Sequence, residues 1–506
     1  MIVDSGDSKS AKNRDRPRAS SSRFLTRVGK AAAMAALLSF MACARTPGGA
    51  SDAQASVILI VVDTLRADHL SLGGYARPTS PRLEEYAGRG VYFERFYSHA
   101  SWTRPSIATL LTSLHSRSHG VVDTGRGLAR DLTTMPEILK DAGYGTYAFV
   151  ASPQIHPELG FAQGFDEFFP LFRAAPGGVD VLPQDLAASV PDAEVLAKVL
   201  AELSRMEETP YFAYVHLLDP HGPYEPAAAD REAFTDPDYS GRISGRIEDF
   251  AKVSRLAAKP AELAQFIGLY DGEVRGTDRA LGEFFDALDR AGRLANTHVL
   301  VTADHGEEFL EHGGTGHGRK LFEESIHIPL LWLGPELPRG RRVLEVGGLV
   351  DILPTLLDVL GIPSSGLDLD GESLRSLWTT DSPPGTRAVL LEEFTGTSER
   401  VYGRDMPFVG RGLIQGRQKL LTGPVRLDQR RVAELTFYDL ERDPGEHSPR
   451  ALGLHAATWS ESEAALVARY VRADRAALGR MPNLGPPIDA LPEEDLQRLR
   501  SLGYLD

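Results

Sequence analysis

The amino-acid sequence predicts an α/β protein: a three-layer αβα sandwich around a mostly parallel sheet, with a small antiparallel β subdomain at the C-terminus. Two observations favour this class. Continuous β-branched and apolar runs alternate with helical periods up to about residue 385, and shorter strands with polar interruptions follow. The 506 residues have 42% hydrophobic and 25% charged content, which is ordinary for globular domains.

The N-terminal segment has the layout of an export signal. Residues 1–43 carry eight Lys and Arg against three Asp, and the apolar run at 31–42 ends at Cys43. A run of this length is too short to span a bilayer, which takes about 20 residues. We therefore predict a signal peptide with a lipobox-like end and an exported, periplasmic or cell-envelope protein. A lipid anchor on Cys43 is favoured, and cleavage nearby without lipid is the alternative.

A flexible tether at 44–55 leads into the predicted main domain, residues 56–385, whose strands are apolar runs typical of a sheet buried on both faces. We expect the following strands: SVILIVVD (56–63), TYAFVAS (146–152), PYFAYVHLL (210–218), THVLVTAD (297–304) and IPLLWLG (328–334). Helical periods separate them at 132–143, 193–206 and 261–292.

Residues 386–506 are predicted to form the C-terminal α+β subdomain. The runs AVLLEEF, GRGLIQGRQKLLTG and ELTFYDL are short and interrupted by polar residues, which is typical of antiparallel strands. The tail at 491–506 is predicted to be a short helix that docks on the body of the protein.

Acidic and histidine residues follow three of the predicted strands. Asp63 ends the first strand, and the pair Asp304 and His305 ends the strand at 297–304; His216 and Asp219 end the strand at 210–218. In parallel sheets, ligands bind beyond the carboxyl ends of the strands. Carboxylate oxygens with an imidazole suit a divalent cation such as Zn²⁺, Mn²⁺ or Ca²⁺, and the sequence does not choose among them.

Thr103 begins the segment TRPSIATLLTS and precedes Pro105, a residue favoured in the first turn of a helix. Thr103 is therefore expected to cap this helix, where unpaired N–H groups and the helix dipole favour an anion. A cation bound to its hydroxyl would make Thr103 a nucleophile; an ordinary helix cap is the alternative. The acidic residues that follow His305 in the sequence, Glu307, Glu308 and Glu311, are interpreted as a solvated helix face rather than a second metal site.

The net charge of −15 argues against nucleic acid as a partner. An anionic substrate would need a local cation, because the surface as a whole repels it.

Several motifs resemble the sulfatase family of the alkaline phosphatase superfamily, over nearly all of residues 56–506. The matching segments are VVDTLRADHLSLGGYARPTSPRL (61–83), TRPSIATLLTS (103–113), GFAQGFDEF (160–168), HLLDPHGPY (216–224), TADHGEEF (302–309), FEESIHIPLL (322–331), LVDILPTLLDVLGI (349–362) and FYDLERDPGE (437–446). The resemblance implies an alkaline-phosphatase-like fold and hydrolysis of anionic esters at a divalent metal.

The resemblance also implies roles for individual residues. Asp63, Asp304 and His305 fall on metal ligands, and Thr103 falls on the nucleophile, which also contacts the metal. Three histidines, His216, His221 and His317, fall around the ester, and Arg319 falls where many members have a lysine near the leaving oxygen. For His221 and His317, an exposed loop position is the alternative to a catalytic one.

Three departures from the family pattern bear on the chemistry. Thr103 replaces the Cys or Ser that becomes formylglycine, Thr64 replaces the second of two adjacent aspartates, and SPQIH (152–156) replaces a Gly-Lys-x-His segment. Threonine cannot give the aldehyde, so a threonine ester must be cleared by a second displacement, which phosphorus tolerates better than sulfur. A threonine nucleophile is also similar to the phosphodiesterase and phosphoethanolamine-transferase branches of the superfamily.

We therefore expect a metal-dependent hydrolase of sulfate or phosphate esters, with the phosphoester favoured. Its substrate would be a sulfated or phosphorylated glycan, lipid or small molecule, and contact with membrane would come through the N-terminal anchor alone. The alternatives are a phospho-group transferase of the envelope and a non-catalytic envelope-binding protein. The oligomeric state stays open.

Overall fold

A computed structural model describes residues 54–122, 125–172, 190–206, 210–255, 259–380, 387–394, 409–425, 435–452 and 459–478. Three sequence predictions lie outside these residues: the signal peptide with Cys43, nearly all of the tether, and the tail at 491–506. The division into domains at residue 385 also stays a prediction.

Nine of the described strands form the main sheet. In chain order they are β1 (Ser56–Val62), β2 (Val91–Tyr97), β3 (Gly145–Val150), β4 (Glu167–Pro170), β5 (Tyr211–Leu217), β6 (Thr297–Ala303), β9 (His327–Leu333), β10 (Arg341–Val343) and β11 (Gly347–Gly348). The strands β7 (Glu308–Phe309) and β8 (Thr315–Gly316) form a separate short hairpin between β6 and β9. Each of the five predicted strands is present, and none of its ends differs from the prediction by more than two residues.

The spatial order of the sheet is β10-β2-β9-β6-β1-β5-β3-β4, with β11 also paired to β2. The pairs that join β6, β1, β5, β3 and β4 are all parallel. β9 runs antiparallel to both of its neighbours, β6 and β2. The predicted α/β class with a mostly parallel sheet is therefore confirmed, with β9 as the reversed strand.

Sequence reading missed β2, although it lies inside the sheet. Its sequence VYFERFY places Glu94 and Arg95 in the middle of an apolar run, where a buried strand is not expected. The pairing of β2 with β9 is irregular between Phe93 and Phe96, and Glu94 and Arg95 are partly exposed there. A bulge accommodates the one extra residue on β2 and turns the charged side chains outward, so the strand tolerates both charges.

Helices surround the main sheet, except for the last one, which packs on the C-terminal sheet. The described ones are α1 (Pro81–Ala87), α2 (Thr103–Thr112), α3 (Ser116–His119), α4 (Met135–Asp141), α5 (Asp192–Leu203), α6 (Ala228–Phe234), α7 (Ile247–Arg255), α8 (Pro260–Arg290), α9 (Glu323–Ile326), α10 (Ile352–Leu360), α11 (Ser376–Thr379) and α12 (Glu461–Leu478). The long helix α8 packs against α1, α5 and α6, whereas α2 packs against α4 and α10. β1 is buried along its whole length between these helices, as expected for a central strand covered on both faces.

The predicted antiparallel sheet at the C-terminus is also confirmed. Its strands are β12 (Ala388–Phe394), β13 (Val409–Gln415), β14 (Gln418–Val425), β15 (Leu435–Asp439) and β16 (Arg450–Leu452), and they pair in chain order. Side chains of β12 alternate between two faces: Leu390 packs in the cluster that includes Leu466 of α12. Leu391 packs with Tyr97 of the main sheet instead. The second sheet is thus joined to the first by a shared apolar cluster.

Among the helices of the described ranges, none combines the length and apolarity that crossing a bilayer requires.

Candidate active site

Two carboxylates and a histidine meet where three neighbouring strands end. β1 lies between β5 and β6, and Val62 of β1 is in register with Ala303 of β6. The next residue of each strand, Asp63 and Asp304, therefore lies at the same edge of the sheet, beside His216 of β5. All three side chains are fully buried, and one ligand atom of each lies within 4.8 Å of the other two.

The structure places His216 with the carboxylates rather than with the groups that the resemblance put around the ester. Its Nε2 lies 3.3 Å from Oδ2 of Asp63. Its Nδ1 lies 2.8 Å from the hydroxyl of Tyr214. With Nδ1–H donating to Tyr214, Nε2 presents its lone pair to the carboxylates, which is the orientation that a metal-binding histidine takes when a neighbour holds its other nitrogen.

His305 faces the same two carboxylates and also the hydroxyl of Thr103. Its Nδ1–H donates to the carbonyl oxygen of Gly306 over 2.9 Å, so the lone pair is on Nε2. Nε2 lies 3.6 Å from Oδ1 of Asp63 and 3.4 Å from Oδ2 of Asp304. The hydroxyl oxygen of Thr103 lies 3.3 Å from the same Nε2. The four residues predicted to bind a metal are therefore brought together.

The expectation that Thr103 caps its helix is wrong. α2 begins at Thr103 itself, and the residue before it, Trp102, occupies the cap position without a side-chain hydrogen bond. The hydroxyl of Thr103 turns to His305 instead of to the free N–H groups of the first turn. This hydroxyl is fully buried and directed at the cluster, and it makes no hydrogen bond that caps the helix.

These residues fit a divalent cation. Oδ1 of Asp63 and Oδ2 of Asp304 are buried without a hydrogen-bond partner among the described residues, and buried oxygens of this kind are costly unless something binds them. Burial raises the pKa of Asp63 to about 7, and burial together with the charge of Asp63 raises that of Asp304 to about 6. Two carboxylates at this distance in a dry site favour a bound cation. Oxygen and imidazole ligands leave Zn²⁺, Mn²⁺ and Ca²⁺ all open.

Thr64 holds a strained backbone beside this cluster. Its φ is 57°, in the left-handed region that β-branched residues avoid. The backbone N–H of Thr64 donates to Oδ1 of Asp304 over 3.2 Å, and its carbonyl oxygen accepts from the hydroxyl of Tyr270 over 2.8 Å. These two hydrogen bonds hold the conformation, which orients Asp304; strain of this kind is concentrated at functional sites.

His221 and His317 lie side by side next to the cluster. Their ring centroids are 5.1 Å apart, and the ring of His317 is 4.4 Å from that of His305. Nδ1–H of His221 donates to the carbonyl oxygen of Gly222 over 2.7 Å. Burial lowers the pKa of His317 and of His305 to about 4. Both predicted ester-facing histidines therefore belong to the interior of the site, and the exposed-loop alternative is wrong for them.

Glu307 was misread as part of a solvated helix face. Residues Glu308 and Phe309 form a strand, and Glu307 and Glu308 are buried. Oε1 of Glu307 accepts a hydrogen bond from Nδ1–H of His317 over 2.9 Å, and Oε2 accepts one from the hydroxyl of Tyr224 over 3.0 Å. The signal that could have found it is its position just past the end of a central strand, which outweighs the apparent charge run.

Arg319 does not share this interior position. Its side chain is exposed, and it reaches the site through its charge, which adds to the effect of burial in lowering the pKa of His317. In the segment 152–156, Ser152 and Gln154 are buried. The Ser152 hydroxyl lies close enough to the carboxylate of Asp63 to lower its pKa, and the amide atoms of Gln154 have no hydrogen-bond partner among the described residues. The carboxyl end of β3 therefore presents neutral polar groups.

Comparison with known proteins identifies the family and the fold. The family model described as Sulfatase matches residues 55–362. An arylsulfatase of Clostridium perfringens (strain 13 / Type A) is 25% identical over 455 residues, covering 77% of this chain and 89% of that enzyme.

Two solved structures share the fold. BT4656, in complex with its substrate D-glucosamine-2-N,6-O-disulfate, has a TM-score of 0.66 at 18% identity, covering 85% of this chain and 99% of that one. The phosphonate monoester hydrolase of Agrobacterium radiobacter has a TM-score of 0.62 at 22% identity, covering 84% of this chain and 96% of that one.

Proposed function

This chain belongs to the sulfatase family, and from that premise we propose that it is an exported, metal-dependent hydrolase that cleaves sulfate or phosphate esters with Thr103 as the nucleophile. The observation that carries the proposal is the placement of the Thr103 hydroxyl, 3.3 Å from Nε2 of His305 and beside two buried carboxylates. Export is supported by the basic and apolar character of residues 1–43.

The cation would be held by side chains that follow the three central strands. Asp63, Asp304 and His305 are proposed as ligands together with the hydroxyl of Thr103, and the contacts of His216 add it to this set. When bound, a divalent cation supplies a lowered pKa for a coordinated hydroxyl and positive charge near the reacting centre. Thr64 and Gly306 contribute through their backbones by fixing Asp304 and His305.

In the first step Thr103 Oγ forms a bond to phosphorus or sulfur while the bond to the leaving oxygen breaks. The threonine proton goes to solvent, because Nε2 of His305, which lies 3.3 Å from the hydroxyl, is proposed as a ligand of the cation and has no second lone pair. The leaving oxygen takes a proton from His221 or His317, which lie together next to His305. Water then attacks the same central atom and gives one proton to the histidine that had protonated the leaving oxygen. The bond to Thr103 Oγ breaks, and that oxygen takes a proton from solvent, which restores the hydroxyl.

The phosphoester is favoured over the sulfate ester on chemical grounds. Threonine cannot form the hydrated aldehyde that releases sulfate without attack at sulfur, so this route needs two displacements at the central atom. Neutral Ser152 and Gln154 at the end of β3 also suit an ester of low negative charge better than a dianion. Similarity to an arylsulfatase supports sulfate esters as the alternative substrate class. The structural relative was solved with a disulfated glucosamine, which supports an ester of a sugar as the substrate of this protein.

The test is a matched set of aryl substrates: nitrophenyl sulfate, nitrophenyl phosphate and bis-nitrophenyl phosphate, each with and without EDTA and with added Zn²⁺, Mn²⁺ or Ca²⁺. Wild-type protein should hydrolyse at least one of them, EDTA should stop it, and Thr103→Ala should lower kcat by at least about 1,000-fold. Thr109→Ala is the control, because Thr109 is a buried threonine of the same helix whose hydroxyl contacts His119 instead. If Thr103→Ala and Thr109→Ala turn over at the same rate, Thr103 is not the nucleophile. Product analysis with an added acceptor alcohol separates hydrolysis from group transfer.

A further inference from the structure

A buried carboxylate of the second sheet reaches the loop that carries Thr103. Oε2 of Glu393, the last residue but one of β12, accepts a hydrogen bond from the backbone N–H of Ser101 over 2.9 Å. The same oxygen accepts a second, short hydrogen bond from the hydroxyl of Ser101. Glu393 is 1% exposed and Ser101 is fully buried, so neither hydrogen bond competes with water.

Ser101 joins the two loops that carry the chemistry. It lies two residues before Thr103, at the entrance to α2. Its carbonyl oxygen accepts a hydrogen bond from the backbone N–H of Gly318 over 2.8 Å, and Gly318 directly follows His317 in the sequence. Ser101 therefore links the loop that carries Thr103 to the loop that carries His317. Glu393 holds Ser101 from the C-terminal sheet.

The rest of β12 holds the same segment through its backbone. The N–H of Glu392 donates to the carbonyl oxygen of His99 over 2.8 Å, and Nδ1–H of His99 donates to the carbonyl oxygen of Leu390 over 2.7 Å. β12 is an edge strand of its sheet, and residues 99–101 cover part of that edge. The nucleophile loop is thus docked on the C-terminal sheet, although the two are separated by nearly 300 residues, 292 between Ser101 and Glu393.

We propose that Glu393 is a positioning residue for the reaction: by holding Ser101, it sets the place of Thr103 relative to His305 and His317. The proposal rests on the proposed role of Thr103. Its physical basis is that catalysis depends steeply on the placement of reacting groups, since a shift of about 1 Å can cost about 100-fold in rate. The C-terminal sheet then helps to position the catalytic groups, and the main sheet alone does not form a complete active site.

The test compares Glu393→Ala with Glu393→Gln. Alanine removes the acceptor for both hydrogen bonds of Ser101, so kcat should fall by about 100-fold with KM changed little. Glutamine keeps an amide oxygen where Oε2 lies, so it should restore most of kcat. Leu413→Ala, a truncation in the apolar cluster of the same sheet, is the control for lost stability alone and should leave kcat close to wild type at temperatures where it stays folded.

An activity-independent measurement accompanies the kinetics. Hydrogen exchange followed by mass spectrometry should show faster exchange in peptides covering residues 98–106 and 314–320 in Glu393→Ala, and wild-type exchange in Glu393→Gln. The inference is overturned if Glu393→Ala keeps wild-type kcat, if Leu413→Ala loses as much kcat as Glu393→Ala does, or if neither peptide changes its exchange. A wild-type protein inactive on every ester overturns the proposed function instead, and the exchange data then decide whether Glu393 holds the two loops.

Discussion

Nδ1–H of His317 donates a hydrogen bond to Oε1 of Glu307 over 2.9 Å, and the hydroxyl of Tyr224 donates to Oε2 of the same carboxylate over 3.0 Å. This arrangement fixes the ring of His317 and leaves its Nε2 toward the interior of the site, where the ring of His305 lies 4.4 Å away. Burial and the charge of Arg319 lower the pKa of His317 to about 4, and a carboxylate in this position opposes that shift by favouring the protonated imidazole, the form that a proton donor needs. Glu307 is therefore as much a part of the site as the histidine it holds.

We expect Glu307→Gln to lower kcat by about 100-fold, because the amide cannot stabilise the imidazolium and general acid–base catalysis is typically worth 100-fold or more. Initial rates on the best aryl ester measure the effect. Glu308→Gln is the matched control: Glu308 is also buried, but its Oε1 contacts Lys320 and the N–H of Gly314 rather than a histidine. Equal rates for the two variants would mean that the Glu307 contact has no catalytic role.

Covalent chemistry at Thr103 predicts a trappable adduct. In a rapidly quenched reaction with phosphoester in excess, the peptide that contains Thr103 should gain the mass of the transferred group. Thr103→Ser should retain part of the activity, since a primary hydroxyl is also a competent nucleophile, and its adduct should appear on the same peptide, lighter by one methylene. An adduct on another peptide, or full activity in Thr103→Ala, would assign the attack to water or to a different residue.

The sequence located most of the candidate metal cluster because its geometry follows from a simple rule. Asp63 and Asp304 come directly after apolar runs that could be recognised as central strands, and parallel strands bring their carboxyl ends to one edge. His216 was found for the same reason, although its contact with Asp63 was not foreseen. The local pattern was therefore sufficient to assign these three residues to one edge of the sheet, whereas the neighbouring positions of β6, β1 and β5 come from the structure.

What sequence reading missed depends on contacts between distant segments. Glu307 resembles a charge run until Tyr224 and His317 are seen to surround it. Glu393 has no local signal at all, because its role depends on Ser101, far away in the chain. β2 was hidden by two charges that a bulge accommodates. Each miss involves a polar group whose burial is decided by tertiary partners, which no periodicity reports.

Replacing Asp63 and Asp304 with Asn should change thermal stability in opposite directions depending on whether the metal is bound. In metal-loaded protein, replacing Asp63 and Asp304 with Asn should lower thermal stability, since a ligand present at 100 times its Kd stabilises the folded state by about 2.7 kcal/mol. After exhaustive chelation, the same double variant should be at least as stable as wild type, because two buried and mutually repelling carboxylates have been removed.

Differential scanning fluorimetry with EDTA and then with added Zn²⁺, Mn²⁺ or Ca²⁺ measures both signs, and metal analysis of the purified protein identifies the native ion. Wild-type protein should gain stability with one of these cations, and the double variant should not. A chelated wild type that stays more stable than the chelated double variant would show that the two carboxylates are stabilised by protein contacts alone and do not form a metal site.

The junction between the two sheets contains a buried lysine, and its removal should be costly. Nζ of Lys419 in β14 lies 2.8 Å from Oε1 of Glu446 and 3.2 Å from Oε1 of Glu323, and the lysine side chain is fully buried. Lys419→Met should lower the free energy of unfolding by about 3–5 kcal/mol, because it leaves buried carboxylates without their cation. Adding Glu446→Gln should recover part of that loss, since burial already raises the pKa of Glu446 to about 7 and its charged form is held mainly by Lys419.

Urea unfolding measures these differences, and Arg89→Ala is the control. Arg89 pairs with Asp289 at 3.0 Å, and the two side chains are 39% and 49% exposed, so the loss should be at most about 1 kcal/mol. Because Lys419 comes from the second sheet and Glu323 begins α9, just before β9, a large loss in Lys419→Met with a single transition would mean that the two sheets unfold together. A loss as small as that of Arg89→Ala would mean that water replaces the lysine and that the junction is held by its apolar cluster instead.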